Sequence, residues 1–456
     1  MMQNTTIAAI STAQASAGIS VIRISGDDAV TIADKIFRAR SEKKLCEMKG
    51  YTCALGDVYH NGEKLDECIA SVFRAPHSYT GENVVELSCH GGVYVTARIL
   101  RAVYDAGAAP AQAGEFTKRA FLNGKLDLIE AESVMDIISA RSKASVRAAI
   151  QVKEGVLSKR INNIKDRLLD HAAHLNAWAD YPDEDIPHVM NSSLDDTLQV
   201  VQEKLNEIIK SYDNGRIIKN GIDTVIVGKP NVGKSTLMNL LSGFDKSIVT
   251  SVAGTTRDIV EENVNLDDIV LNLSDTAGIR STDDEIESIG VDKAKSKLNS
   301  AALVLCVFDA SQPIDDEDWG IIRMLGDTPA VAILNKADLP RQIEATEIRE
   351  NFTEIVPMSA KHGEGIDLLM KEIKKLCAVN DLNSTDALLY NERQRSLTIK
   401  ARDSVSQSIE ALHIGMTYDA VTVLIEEAIS YLCELTGERV SDEVVDKVFH
   451  NFCVGK

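Results

Sequence analysis

The chain has 456 residues, 44% of them hydrophobic and 26% charged, with a formal net charge of −20. That length suits about two to four domains with cores of their own, and no apolar run approaches the ~20 residues that span a bilayer. The surplus of acid excludes a protein that grips nucleic acid through its overall charge, since phosphate binding rests on Lys and Arg. Eight scattered cysteines without a Cys-x-x-Cys spacing point to neither a zinc nor a dithiol site, and the N-terminal residues carry no secretory pattern, so a cytoplasmic protein is expected.

Residues 1–123 read as a compact α/β domain, with strands expected at 20–24, 66–74 and 83–88. Gly91-Gly92 opens a helix in which Val95, Ile99, Ala102 and Val103 share one apolar face. Arg23, Glu86 and Lys125 are the charges of interest here, and on spacing alone each reads as a surface or strand-end charge. Residues 124–216 switch to helical spacing, with Val134, Ile137 and Ile138 on one face. Leu157, Ile161, Ile164, Leu168, Ala172 and Leu175 form the stripe of a long helix. Residues 180–187 hold two prolines and four acids and read as a loop; without the EF-hand glycine and terminal glutamate they do not read as a calcium site. Leu194, Leu198, Val201, Leu205, Ile208 and Tyr212 make a further helix, with its exit expected at Asn214-Gly215 and Asn220-Gly221.

Residues 217–378 alternate apolar runs (224–227, 269–273, 303–308, 330–334 and 355–357) with helical patterns, as a parallel sheet covered on both faces requires. Residues 379–456 return to helix, with Val421, Leu424, Ile425, Ala428, Ile429 and Leu432 in one stripe. The expected fold is multidomain, α/β plus all-α: an N-terminal α/β domain, a helical domain made from two chain segments, and an α/β nucleotide domain inserted between them.

The inserted domain opens on Gly228-Lys-Pro-Asn-Val-Gly-Lys-Ser235, directly after an apolar run and directly before Leu237, Leu240 and Leu241 at helical spacing. Glycines let backbone N–H groups approach phosphate oxygens, the helix start favours an anion, Lys234 adds a mobile charge, and Ser235 can ligate magnesium. Gly254-Thr255-Thr256-Arg257-Asp258 follows, where a threonine can close onto magnesium and the terminal phosphate. Asp275-Thr276-Ala277-Gly278 ends the next run; its acid can hold the metal through water and its glycine N–H can meet the last phosphate. Asn335-Lys336-Ala337-Asp338 ends another, and its aspartate can accept the paired N–H groups that guanine has and adenine lacks. Ser359-Ala360-Lys361 would close over the base. Each motif is weak alone; in this order, each at a strand's end, they specify a P-loop GTPase of the Ras-like kind. Two details bear on mechanism. Ile279 stands where Ras-type enzymes carry a water-orienting glutamine, which makes Glu287 the candidate acid for that task. Asn231 inside the loop offers a side-chain oxygen to a monovalent cation beside the phosphates.

These motifs, together with Gly114-Glu-Phe-Thr-Lys-Arg-Ala-Phe-Leu-Asn-Gly-Lys-Leu-Asp127 and Phe452-Cys-Val-Gly-Lys456, resemble the tRNA-modification GTPase family MnmE (TrmE) over the whole chain. The resemblance implies a folate-binding, dimerising domain in 1–123, helical arms at 124–216 and 379–456, and a GTPase domain at 217–378. It implies a cytoplasmic homodimer that works with a flavin (FAD) partner, MnmG (GidA), as a heterotetramer. The activity implied is addition of an aminomethyl-type or carboxymethylaminomethyl group to carbon 5 of the tRNA wobble uridine, using a tetrahydrofolate one-carbon unit and potassium-activated GTP hydrolysis. GTP contacts would come from Asn231, Val232, Gly233, Lys234, Ser235 and Thr236, then from Thr250, Ser251, Val252, Ala253, Gly254, Thr255 and Thr256. Asp275, Thr276, Ala277 and Gly278 would follow, with Asn335, Lys336, Asp338, Ser359, Ala360 and Lys361 around the base. Magnesium would be held by Ser235 and Thr256, and potassium by Asn231, Thr250, Val252 and Thr255. Glu287, Lys234 and Asn231 would be the catalytic set. The folate site would draw on Arg23, Glu86, Lys125 and Lys456, with Cys453 nearby but no histidine evidently paired to activate it.

A GTP-switched ribosome-assembly factor is the alternative reading. Such factors usually append a Lys- and Arg-rich module, whereas the helices appended here are acidic.

Overall fold

The computed structural model describes residues 5–180, 191–243, 261–266, 269–275, 301–326, 328–376 and 388–456. These fall into two compact units, one drawn from residues 1–135, 161–186 and 422–456 and the other from residues 136–160 and 187–421.

The first unit is built on strands β1 (Ile7–Ile10), β2 (Ile19–Ser25), β3 (Phe37–Ala39), β4 (Thr52–His60), β5 (Glu63–Phe73), β6 (Val84–His90) and β7 (Ala109–Pro110), in the order β3-β4-β5-β6-β2-β1-β7. Neighbours run antiparallel except for the β1–β7 pair. Three of the expected strands are present and extended as β2, β5 and β6. The other four fall outside the expectation. β1, β3 and β7 have four residues or fewer, and β4 is interrupted by Gly56-Asp57, so none carries a full period-two pattern. Ile22 and Ile24 of β2, with Val85, Leu87 and Cys89 of β6, point to one face. There they pack with Ala33 of helix Ala29–Ile36 and with Ile99 and Val103 of helix Val93–Asp105. Strand alternation puts Arg23 and Glu86, which lie directly opposite one another in the β2–β6 register, on the other face.

That second face receives Phe116, from helix Glu115–Leu122, against Ile7 and Ala9. Helices Leu128–Ser139 and Asp442–His450 bring Leu128, Val134, Val445 and Phe449 into a core with Phe452. The Phe449 and Phe452 rings sit 5.1 Å apart between centroids. Phe452 thereby seats the segment that follows it. Val454 bridges Ala113, Gly114 N–H donates to Cys453 O (3.3 Å), and Phe116 N–H donates to Lys456 O (3.2 Å). The stripe expected on the long helix is buried throughout, from Leu157 to Leu175.

The second unit contains a six-stranded sheet of β8 (Ile222–Val227), β9 (Glu261–Leu266), β10 (Ile269–Asp275), β11 (Leu303–Asp309), β12 (Ala330–Asn335) and β13 (Glu354–Pro357). Its order is β13-β12-β11-β8-β10-β9, parallel except for the β9–β10 pair. All five expected strands are there. β9 is additional: an edge strand in which Val264 and Leu266 are buried between polar residues, too short a signal to register. β8 shows why continuous apolar runs mark central strands, because Ile222 and Ile226 enter one core while Val225 and Val227 enter the other. With β10 on one side of β8 and β11 on the other, the chain reverses its winding at β8. The crevice beyond the carboxyl ends of such strands is where an α/β sheet takes its ligand.

Helix Asn191–Asn220 corrects one expectation. It runs through Asn214-Gly215, the first of the two expected exit points, and ends at the second, Asn220-Gly221, where Gly221 holds positive φ (81°). Gly215 is an interior helical glycine because another segment crosses it closely: a Cβ there would lie 2.1 Å from Leu389 O. The crossing is fixed by Leu389 N–H donating to Ser211 Oγ (3.3 Å) and by Arg395 lying over the Tyr212 ring at 5.1 Å. Among the described residues no helix is long and apolar enough to cross a membrane.

Gly→Ala inside a helix ordinarily stabilises by about 1 kcal/mol. At position 215 the clash dominates, and Gly215→Ala is expected to destabilise by roughly 1–3 kcal/mol, read as a lower urea midpoint by circular dichroism.

Candidate functional site

The loop after β8 has the shape its glycines predict. Gly228 (φ 151°) and Gly233 (φ 104°) hold positive φ, and neither tolerates a side chain. A Cβ on Gly228 would meet Val307 O at 2.4 Å, and one on Gly233 would meet Asn335 Nδ2 at 2.1 Å. Asn231 between them is also left-handed (φ 62°), a conformation Asn accepts more readily than most residues. Alternating hand in successive residues turns backbone N–H groups into a concave nest for an anion. Helix Lys234–Gly243 starts at the loop's end and adds the positive end of its dipole. Lys234 Nζ donates to Gly228 O (2.8 Å) and Lys229 O (2.6 Å), which straps the lysine across the loop. Asn231, Ser235 and Thr236 are exposed, while Val232 is buried and anchors the loop in the core.

The opposite end of the site is joined to this loop by Asn335, the last residue of β12 and only 4% exposed. Its Nδ2 donates to Val232 O (2.7 Å), and its Oδ1 accepts from Ala360 N–H (2.9 Å). One amide therefore connects the loops after β8, β12 and β13. Lys336 follows in left-handed backbone (φ 62°), and its ammonium meets Asp309 Oδ2 at 2.5 Å. Burial works against the Asp309 carboxylate, but the donors Lys336 and Ser311 outweigh it and hold the carboxyl below its ordinary range. A lowered folded-state value means that the pair stabilises the fold at neutral pH and is lost only as pH falls through that value. Asp338 Oδ1 accepts from Ser359 Oγ (2.7 Å), which lowers that carboxyl too, and His362 stands 3.9 Å from its other oxygen. Ser359 is buried and Lys361 exposed. Asp309 and Ser311 lie outside the expected site. The signal for Asp309 is an acid closing an otherwise apolar central strand, at the edge where this fold binds its ligand.

Thr250, Ser251, Val252, Ala253, Gly254, Thr255, Thr256, Thr276, Ala277, Gly278 and Glu287 lie outside the described residues, as does the side chain of Asp275, whose backbone ends β10. Their expected roles are untouched by the geometry.

The first unit gathers a second set of the expected residues. Arg23 Nε donates to Glu86 Oε1 at 2.9 Å, with the two side chains 14% and 26% exposed. The guanidinium lies 5.3 Å from the Tyr79 ring centroid and 5.5 Å from that of Phe116, a cation–π arrangement. Its Nη1 reaches Gly455 O at 3.5 Å, which brings the Cys453–Lys456 turn to the same place. Ser11 Oγ also donates to Gly455 O (2.9 Å). Tyr79 OH and Thr117 Oγ1 are 2.8 Å apart, and burial raises the phenol's pKa. Lys125 Nζ donates to Pro76 O (3.2 Å). Cys453 is exposed. Tyr79, Phe116 and Gly455 escape sequence reasoning because nothing local marks an aromatic or a glycine for contact with an arginine so far away in the chain.

Comparison with known proteins agrees along the full length. The MnmE helical domain family matches residues 128–453, and the family described as GTP-binding protein TrmE N-terminus matches residues 6–125. The tRNA modification GTPase MnmE of Acetivibrio thermocellus is 41% identical over 461 residues, covering 100% of both chains. Those of Clostridioides difficile and Alkaliphilus metalliredigens are each 39% identical, again over 100% of both chains. Among solved structures, a variant of Aquifex aeolicus Era bound to GDP.AlF4- is 30% identical over 40% of this chain and 66% of that one, with a TM-score of 0.29.

Removing the Asn335 amide leaves two buried backbone groups, Val232 O and Ala360 N–H, without their partner. Asn335→Ala is expected to lower the stability of this unit by about 2–4 kcal/mol, and an unchanged urea midpoint would remove its bridging role.

Proposed function

The chain belongs to the tRNA modification GTPase MnmE family, and from that premise we propose the specific reaction. It hydrolyses GTP and, with an FAD-dependent partner of the MnmG (GidA) kind, adds a carboxymethylaminomethyl or aminomethyl group to carbon 5 of the wobble uridine of certain tRNAs. The observation that carries this reading is the pairing of an end-to-end family match with a preformed phosphate loop, in which Lys234 is already strapped to the Gly228 and Lys229 carbonyls.

In this proposal Lys234 offers its charge to the outer phosphates, and Asp338, steadied by Ser359, takes the guanine N–H pair. A wrong base would leave that carboxylate unpaired. The exposed hydroxyl of Ser235 and the left-handed Asn231 on the same loop are a donor set that suits cations beside a triphosphate. Ser235 and Thr256 would hold magnesium; Asn231, Thr250, Val252 and Thr255 would hold potassium. Ions held there would supply charge neutralisation to phosphoryl transfer, potassium in the part an arginine takes in other GTPases. Glu287 orients the attacking water, a task Ile279 has no polar group to perform.

Residues 1–123 form the folate-binding and dimerising domain, 124–216 and 379–456 the helical arms, and 217–378 the GTPase domain of a cytoplasmic homodimer that joins its flavin partner as a heterotetramer. Arg23, Glu86, Lys125 and Lys456 would hold a tetrahydrofolate derivative, whose chemistry would be donation of the one-carbon unit. Support comes from the meeting of Arg23, Glu86 and the Gly455 carbonyl beside the Tyr79 and Phe116 rings, a setting that fits a flat, hydrogen-bonding ring.

Nucleoside analysis of tRNA from cells lacking the protein tests the whole reading: unmodified wobble uridine should accumulate, and an unchanged profile would overturn it. Hydrolysis is expected to run faster in potassium than in sodium at matched ionic strength; equal rates would remove the cation from Asn231. Glu287→Ala is expected to abolish turnover while GTP affinity stays near wild type, and retained turnover would move the water-orienting role elsewhere.

A further inference from the structure

The side chain of Lys229, the second residue of the phosphate loop, has no part in the roles assigned above. Its side chain runs to the start of helix Asp316–Met324, where Nζ lies 2.5 Å from Asp315 Oδ2 and 2.7 Å from Asp318 Oδ2. The lysine side chain is 12% exposed and that of Asp318 only 4%. Asp315 is occupied on both oxygens, since its Oδ1 caps the helix by accepting from Glu317 and Asp318 N–H (3.0 and 3.1 Å). Asp318 Oδ2 accepts from Asp315 N–H as well (3.3 Å). Its Oδ1 is buried with no hydrogen-bond partner among the described residues. A nearly enclosed carboxylate with one idle oxygen is costly, and such groups persist where a position has to be held. Burial works against the Lys229 ammonium, but its two carboxylate partners prevail and keep it charged well past neutral pH.

The same residue is fixed at its other end, where its carbonyl accepts from Lys234 Nζ at 2.6 Å. We propose that the Lys229–Asp315–Asp318 clamp is a positioning device for Lys234. By anchoring Lys229 outward, it sets the direction of the carbonyl on which Lys234 rests, so that the loop presents Lys234 to the β- and γ-phosphates without rearranging. Lys229 touches no nucleotide atom in this scheme and acts through Lys234. The proposal rests on reading residues 228–235 as the phosphate loop.

The test uses the full-length chain with Lys229→Met, Lys229→Arg and Asp318→Asn. It measures the GDP dissociation constant with a fluorescent GDP, kcat and KM for GTP, and Tm with and without GDP. Lys229→Met should raise the GDP dissociation constant and KM by roughly 10- to 100-fold with a smaller fall in kcat. Its GDP-induced rise in Tm should shrink by more than the Tm of the free protein falls. Lys229→Arg, which keeps the charge on a bulkier planar group, should lose less than Lys229→Met. Asp318→Asn should move in the same direction as Lys229→Met by a smaller factor, and it carries the test alone if Lys229→Met fails to fold. Wild-type GDP affinity in both Lys229→Met and Asp318→Asn would overturn the clamp. So would a Lys229→Arg protein as weak as Lys229→Met, or a loss of Tm with the GDP-induced shift intact. A wild-type chain that takes up no GDP would instead sink the nucleotide reading itself.

Discussion

Asn335 donates to one loop and accepts from another while ending the strand that carries a third, so three loops share a single buried amide. Each loop sits at the carboxyl end of a parallel strand, and nothing in strand pairing fixes its direction beyond the last ladder bond. The amide supplies that missing constraint. Its enclosure raises the stakes, because a buried polar group left unpaired costs more than a made hydrogen bond returns. Gly233 follows from the same geometry: the Asn335 side chain occupies the space a Cβ would need.

The electrostatics of the site follow from pairing in an acidic chain. Lys336 is turned to Asp309, and Lys229 to Asp315 and Asp318, so both are neutralised locally. Lys234 rests on carbonyl oxygens in the loop, which orient its ammonium. The positive φ of Gly228 and Gly233 and the start of helix Lys234–Gly243 shape the loop through its backbone, without a general excess of positive charge. That is compatible with a net charge of −20.

How much was legible in the sequence depended on range. The left-handed glycines of the loop after β8, the five parallel strands of the second unit and the buried stripe of the long helix are local consequences of residue type and period, and all were readable. The run of helix Asn191–Asn220 through Gly215 was not, because the glycine answers to Leu389, far along the chain. Asp309 was passed over for a related reason: a strand-ending acid looks solvated until the lysine it meets is known. Arg23 and Glu86 read as unremarkable charges from spacing, and only the family resemblance set them apart. Their register across β2 and β6, and the rings of Tyr79 and Phe116 beside them, appear once the sheet is assembled.

The turn at Cys453–Lys456 completes the Arg23 face, and Ser11 Oγ meets Gly455 O across 444 positions of chain. A ribosome adding about 5–20 residues per second needs roughly 20–90 s to travel from one to the other. During that interval the N-terminal sheet can close its core, which is made from early residues alone, but the Arg23 face stays without its covering turn. Maturation of that face thus waits for residues 453–456, and a nascent chain carries it uncovered until helix Asp442–His450 emerges with the turn that follows it.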